Sequence, residues 1–445
     1  MKNSYTLICF VFFISITSAQ QKYLQSGPML GYSDYREALI WVQTTQAAKV
    51  KIAYWDSTKE KKYTQTVKTA ANNNFIAKLY PNEVTYGTVY DYEVYINGKR
   101  LKFEYPLNFQ TQTLWQYRTD PPEINFAIGS CVYVNDSKDD RPGRSYGSGY
   151  EAFDNILQQD PDFMVWLGDN VYLREPDFGT ATGIKYRYKH TRSLPEMQAL
   201  LGSVHHYAIW DDHDYGPNDS DKSYALKQVS EETFNNYWGN PTTNVVGNGG
   251  VTSTFQWGDI EFFLMDNRYH RDSNRQVSPN KAFLGAEQLE WLITALTSSR
   301  APFKFVCIGS QVINSAAKYE NYATYPEERA ELFRRIAAER IEGVIFFSGD
   351  RHHTEISKME REGAYPLYDI TCSSITSGSH KPSRENNVHL VPNTSFFKQN
   401  FGMIKVSGKR TDRVLNLDII DTQGNKIYDY TINASDLKYS TKGNN

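Results

Sequence analysis

The sequence predicts an α/β protein in which a large mixed-sheet domain follows a smaller all-β segment, and three observations predict it. Five short apolar runs end abruptly in residues that bind metals or move protons: Ile124 to Ile128 before Cys131, Phe163 to Leu167 before Asp169 and Tyr172, Tyr207 to Trp210 before Asp211, Asp212 and His213, Ile260 to Met265 before Asp266, and Val344 to Phe347 before Asp350 and His352. Between these runs apolar residues recur at helical spacing, and ahead of them strand-like pieces alternate with turns. In α/β sheets, ligands collect beyond the carboxyl ends of the strands, so such runs can bring distant residues to one place.

Taken in order, the elements justify that reading. The first nineteen residues have the form of a secretory leader: Lys2 supplies the charged start, Leu7 to Ile16 the apolar segment, and Thr17-Ser18-Ala19 a small-residue cleavage site. Cleavage near Ala19 predicts a periplasmic or secreted product. From residue 20 to about 120, strands are expected at Ala38 to Thr44, Val50 to Trp55, Phe75 to Leu79 and Thr88 to Asn97, with Asn97-Gly98 as a hairpin turn and a short return near Phe103. Their spacing predicts a small β-sandwich of immunoglobulin or fibronectin type. The lysines at 59, 61 and 62 read as a solvated hairpin tip. Pro121-Pro122 marks a boundary, because neither ring can donate to a ladder.

From 121 to 435 the chain reads as one α/β domain. Phe153, Ile156 and Leu157 share a helical face, as do Leu289, Leu292, Ile293 and Leu296, and also Phe333, Ile336 and Ala337. Late strands are expected at Met403 to Val406, Val414 to Ile419 and Lys426 to Ile432, and a flexible tail from 436 to 445.

Composition narrows the function. With 48 basic and 51 acidic residues the net charge is −3, and −4 once Lys2 leaves with the leader, so nothing recruits nucleic acid or an anionic membrane. No stretch after the leader is long and apolar enough to cross a bilayer. Of 4 cysteines, Cys131, Cys307 and Cys372 survive cleavage, an odd number that does not suit a disulfide scaffold.

Three constellations carry chemistry. In Gly168-Asp169-Asn170-Val171-Tyr172, a carboxylate in a tight turn can bridge two cations while the phenol offers a second oxygen; the plain alternative is a helix-capping Asp beside a packed Tyr. In Trp210-Asp211-Asp212-His213-Asp214, three carboxylates crowd one imidazole and call for a balancing cation. Asp212 is the candidate ligand there, and His213 the candidate proton donor to a leaving group. In Ser348-Gly349-Asp350-Arg351-His352-His353, alternate positions of an extended stretch would face the same way, so Asp350 and His352 can reach one metal, with His353 turned elsewhere.

Cys131 is either a buried small hydrophobe or, beside these groups, a thiolate ligand. Asp266 and Arg268 follow a strand and are candidate substrate contacts; the guanidinium would clamp a phosphate oxygen or form a structural ion pair.

Gly129-Ser130-Cys131, Gly168-Asp169 with Tyr172, Trp210-Asp211-Asp212-His213, the segment from Asp266 to Arg271, Leu284-Gly285 with Gln288 and Trp291-Leu292, and Gly349-Asp350-Arg351-His352 together resemble the PhoD-type alkaline phosphatase and phosphodiesterase family. The resemblance implies a four-layer αββα metallophosphatase core behind an immunoglobulin-like domain. It further implies a mixed iron and calcium centre: Cys131, Asp169, Tyr172 and His352 correspond to ligands of Fe³⁺, and Asp169, Asp212 and Asp350 to ligands of Ca²⁺. Thiolate, phenolate and imidazole suit a transition metal, and carboxylates suit a hard cation. Asn170-Val171 departs from the aromatic and aliphatic pair common in that family, which bears on substrate preference and makes Asn170 a candidate substrate contact.

The expected reaction is hydrolysis of a phosphate ester by a metal-bound hydroxide, with His213 protonating the leaving oxygen. The other readings are a phosphodiesterase or phospholipase D-like enzyme on diesters or phospholipids, and a secreted binding protein without catalysis. The ester pocket would be walled by the loops Asp136 to Gly149, Asp177 to Gly183 and Asn240 to Gly250.

Overall fold

The computed structural model describes residues 22–278, 280–381 and 385–440; the leader expected over residues 1–19 lies outside them. A nine-stranded sheet runs in the order Lys426–Asn433, Val414–Asp421, Asn400–Ser407, Ile124–Gly129, Phe163–Leu167, His205–Ile209, Leu24–Ser33, Ala38–Thr44, Ile76–Leu79. A six-stranded sheet runs Ser253–Trp257, Ile260–Leu264, Lys304–Cys307, Val344–Ser348, Ala364–Thr371, Glu355–Arg361. Each has a parallel heart: Ile124–Gly129 beside Phe163–Leu167 beside His205–Ile209 in the first, and Ile260–Leu264, Lys304–Cys307, Val344–Ser348 and Ala364–Thr371 in the second.

Alternation along the strands decides what each face meets. Phe126, Ile128, Phe163, Val165 and Leu167 point into a core shared with Phe262, Leu264, Phe305 and Phe347 of the second sheet. The Phe126 ring meets Phe262 edge-on at 5.3 Å and Phe305 at 5.6 Å. Each such buried phenylalanine contributes roughly 1.5–3 kcal/mol of burial. The intervening residues Ala127, Met164, Trp166 and Ala208 face the other way, onto the helices Ala152–Gln158, Ala181–Arg192, Gln198–Ser203 and Lys227–Tyr237. On the far side of the second sheet, Leu289, Leu292, Ile293 and Leu296 of helix Ala286–Ser298 are buried, on the face their spacing predicts; in helix Pro326–Ala338 the buried pair is Leu332 and Ile336, while Phe333 is partly buried and Ala337, expected on that face, is exposed.

The amino-terminal strands are the main difference from the sequence reading. A small sheet built on Lys49–Trp55 and Val89–Ile96 packs through Val50, Ile52, Tyr54 and Val94 onto Leu30, Ile40 and Val42. Leu30, Ile40 and Val42 belong to strands that extend the nine-stranded sheet, where Leu24–Ser33 pairs in parallel with His205–Ile209. One layer of this β-on-β arrangement is therefore continuous with the large sheet. Gly27, Pro28 and Gly31 break up the apolar pattern of Leu24–Ser33, so that strand leaves no alternation to read.

Asn97 and Gly98 both have positive φ, 51° and 80°, as a tight hairpin turn demands. The tail expected from residue 436 is ordered through Ser440 instead: Leu437 is fully buried and the Tyr439 ring packs edge-on against Tyr365. Residues 441–445 lie outside those described.

Candidate metal centre

Three strand tips are drawn together at the carboxyl ends of the two sheets. Cys131 N–H donates to Gly168 O (3.2 Å) and Val132 N–H to Asp169 O (2.8 Å), joining the first two tips. The third belongs to the other sheet and reaches them at Gly349, where an added Cβ would lie 2.6 Å from Leu167 O and 2.7 Å from Ser130 Cβ. Only a residue without a side chain lets the backbones come this close.

The tips end in strained backbone. Cys131, Asp169, Asp350 and His352 have φ of 61°, 53°, 66° and 53°, left-handed values that non-glycine residues adopt rarely and mostly where function holds them. This corrects the expectation that Asp350 and His352 share a face of an extended stretch. The strand stops at Ser348, Arg351 N–H donates back to Gly349 O (2.8 Å), and a tight turn aims the two side chains.

Two donor groups result, and they share Asp169. In the first, ligand atoms of Cys131, Asp169 and His352 lie within 4.8 Å of one another. Tyr172 Oη joins them, 3.0 Å from Asp169 Oδ2 and 3.0 Å from His352 Nε2, while the thiol is 3.6 Å from Asp169 Oδ2. In the second, Asp169, Asp212 and His213 stand within the same 4.8 Å limit. His213 is partly exposed, its ring stacked on Tyr172 at 4.3 Å, and its backbone N–H donates to Asp169 Oδ1 (3.3 Å). The short helix Asp212–Tyr215 aims these side chains, capped at its start by a reciprocal pair of Asp211 and Asp214.

Electrostatics describe a site short of positive charge. Burial, with Asp212, Cys131, Asp211 and Asp350 nearby, raises Asp169 well above the usual carboxylate range, and burial with Asp211 and Glu320 does the same to Asp350. Burial pushes the Cys131 thiol up to about 12 and the His352 imidazole down to about 3, and it raises the Tyr172 phenol. Asp212 is the exception: burial works against its charge, but His213 and Arg268 hold it well below the ordinary value. Thiol, phenol and carboxyl groups packed this way hold protons that a cation would displace.

The donors fit cations on two further counts. Asp212 Oδ1 and Asp211 Oδ2 are buried with no hydrogen-bond partner among the described residues. Sulfur, nitrogen and phenol oxygen collect on one side of Asp169, the composition for a transition metal; on the other stand the Asp212 carboxylate, which suits a hard cation, and the His213 imidazole. Asp350 joins electrostatically, raising the acid groups of both Cys131 and Asp169.

The three expected substrate contacts, Asn170, Asp266 and Arg268, are all buried. Asp266 is fully buried and saturated: its Oδ1 accepts from Trp210 Nε1 (2.8 Å), Arg268 N (2.8 Å) and Tyr269 N (2.9 Å), and its Oδ2 from Val251 N (2.9 Å). Asn170 is buried, its Nδ2 donating to Ile209 O (2.7 Å) while its Oδ1 has no partner among the described residues. Arg268 is enclosed by Asp211, Glu320 and Ser220 O, so the structural ion pair is the reading that holds.

Sequence reasoning missed several neighbours. Glu320 pairs with Arg268 and forms a third acidic group with Asp211 and Asp212, yet its loop carries no local signal. Ser373 Oγ donates to the Cys131 sulfur (3.1 Å). Asp214 accepts from Asn170 N (3.0 Å) and Val171 N (3.1 Å), a link between the first and second constellations that their positions in the chain give no sign of. The segment Asp177 to Gly183, read as loop, holds the start of helix Ala181–Arg192, capped by the Thr180 side chain.

The model of the PhoD-like phosphatase family matches residues 126–417, and that of a domain of unknown function, DUF7800, residues 21–114. Alkaline phosphatase D of Bacillus subtilis (strain 168) is 22% identical over an alignment of 362 residues that covers 66% of this chain and 59% of that protein; the match thus spans about three fifths of the relative's length. A solved structure of PhoD superposes with a TM-score of 0.73 at 17% identity, covering 92% of this chain and 93% of that one. The purple acid phosphatase PPD1 from yellow lupin (Lupinus luteus) seeds gives 0.68 at 12% identity, covering 92% and 75%. At such identities these two likenesses speak to the fold, a metallophosphatase-like one.

Proposed function

The chain belongs to the PhoD-like phosphatase family, and from that premise we propose that it is a metal-dependent phosphoric ester hydrolase, acting on phosphomonoesters outside the cytoplasm. The observation that carries the reading is the Asp169 carboxylate, shared by one donor group of thiol, phenol and imidazole and another of carboxylate and imidazole. In this reading the fold is the four-layer αββα core, with the amino-terminal β layers of sandwich type packed against its large sheet.

Cys131, Asp169, Tyr172 and His352 would hold Fe³⁺, and Asp169, Asp212 and Asp350 would hold Ca²⁺. When bound, the pair would lower the pKa of water and offset charge on phosphoryl oxygens. The remaining work falls to the chain's own residues. His213, partly exposed and stacked on Tyr172, is free to donate a proton to the leaving oxygen. Arg268 acts from behind: paired with Asp211 and Glu320, it lies 3.8 Å from Asp212 Oδ1 and keeps that carboxylate ionised. Backbone stitching between the strand tips holds the donors still, so little reorganisation is left for the reaction.

Elemental analysis of the purified protein, with mono- and diester chromogenic substrates assayed side by side, tests the proposal. Iron and calcium together with a preference for monoesters is the expected result. A protein that carries neither metal and hydrolyses neither ester would overturn it; a preference for the diester would move the assignment to the phosphodiesterase reading.

A further inference from the structure

We propose that Tyr146 is a positioning residue for His352, its hydroxyl accepting the Nδ1 proton of the imidazole and so fixing which ring nitrogen faces the metal centre. The inference rests on the metal reading above. His352 Nε2 is the nitrogen turned toward Tyr172, 3.0 Å away, and toward Cys131 and Asp169. A nitrogen that binds a cation carries no proton, so the neutral ring must keep its proton on Nδ1. Nδ1 lies 3.1 Å from Tyr146 Oη, a phenol oxygen with a lone pair to accept it. The His352 backbone is held by Ser373 Oγ (2.9 Å), and at the ring Tyr146 Oη adds to the hold of the Gly378 backbone.

The loop that carries Tyr146 is built to keep its ring in place. The Asn135 side chain grips the next peptide from both ends: Gly147 N–H donates to Asn135 Oδ1 (2.9 Å) and Asn135 Nδ2 donates to Gly147 O (2.6 Å). A Cβ at Gly147 would lie 2.3 Å from Tyr133 O, so the loop is pressed flat against its neighbour. Ser148 N–H then donates to Thr376 O (2.8 Å). The Tyr146 ring stands edge-on to Tyr133 at 4.8 Å, and Tyr133 is itself held between the Arg174 guanidinium at 3.8 Å and the Tyr172 ring at 5.1 Å. Farther back, Arg187 pairs with Asp136 and Asp139, and Arg174 with Asp140. Tyr146, 45% exposed, is thus held by its ring at Tyr133 and by its hydroxyl at His352.

Tyr146→Phe and Tyr146→Ala, compared with the wild-type holoprotein, test this. The readouts are resident metal by elemental analysis, the rate at which EDTA strips it, and the visible absorption band. Losing an acceptor behind a metal-binding histidine costs about 10–100-fold in metal retention. Tyr146→Phe is expected to release metal faster by that factor, with Tyr146→Ala close to it. The band should move to longer wavelength, because an imidazole without its acceptor gives the cation less charge. A Phe variant that matches wild type while Ala alone is impaired would mean that the ring only packs, and would overturn the proposal. Should Tyr146→Phe fail to fold, Asn135→Ala loosens the loop and keeps the phenol; faster release supports the proposal and an unchanged rate overturns it. A wild-type protein without a transition metal would sink the underlying metal reading, and this inference with it, so the two failures are distinguishable.

Discussion

Tyr172 Oη and His352 Nε2 stand 3.0 Å apart although 180 residues separate them in the chain. One comes from the turn after Phe163–Leu167 in the first sheet and the other from the turn after Val344–Ser348 in the second, so the contact is where the sheets meet chemically. Tyr172→Phe keeps the ring and removes the oxygen. The variant should still bind iron, more weakly, and lose the visible band; a band retained at full strength would count against a Tyr172 ligand.

Asp169 is the residue both donor groups share, so its loss should not be selective. Asp169→Asn is expected to lower the content of both metals together and to reduce turnover to background. Loss of one metal with the other at full occupancy would show that the carboxylate is not the bridge.

His213 is predicted to serve the reaction rather than metal retention. Its replacement by Gln should lower kcat by about 10²–10⁴-fold, the usual worth of a positioned general acid. Metal content should stay near wild type, and esters with very good leaving groups should suffer least. A uniform loss across leaving groups would remove the acid role.

Arg268 is buried among Asp211, Asp212 and Glu320, and removing one partner of such a set leaves uncompensated charge. Arg268→Met should destabilise the metal-free protein by about 3–5 kcal/mol. Glu320→Gln, which takes away one negative charge and keeps the shape, should be milder. Denaturant titration of both variants checks the order.

In the metal-free protein, burial pushes Asp211 up to about 6 and Asp219 up to about 7, from the ordinary aspartate value of 3.8. The folded state therefore binds more protons than the unfolded state between about pH 4 and 7, and stability falls as pH rises through that window. Stripped protein should melt at higher temperature near pH 5 than near pH 7.5. Restoring the metals should reverse the trend, because cations compete with those protons. Equal melting at both values in the stripped form would argue that these groups are not strained.

What could be read from the sequence, and what could not, divides along the range of the signal. The tips announced themselves because a buried strand of Phe163 to Leu167 or Val344 to Phe347 has nothing polar until its end, so the first carboxylate after it stands out. Asp169, Tyr172, Asp212 and His352 were legible for that reason. Glu320 was not: its partner Arg268 is 52 residues away and its own surroundings are ordinary loop. Asp266 carries the right chemistry in the right place, and only the structure reveals that neighbouring N–H groups already use it. The strand Leu24–Ser33 escaped because its glycines and proline hide a segment buried on both faces.

Gly349 has a consequence for relatives of this chain. Because an added methyl would meet Leu167 O at 2.6 Å, any larger residue must push the second sheet's tip outward, carrying Asp350 and His352 with it. A homologue with alanine or serine at this place would need a wider gap between its two cations, or have given one of them up. Its elemental stoichiometry would tell which.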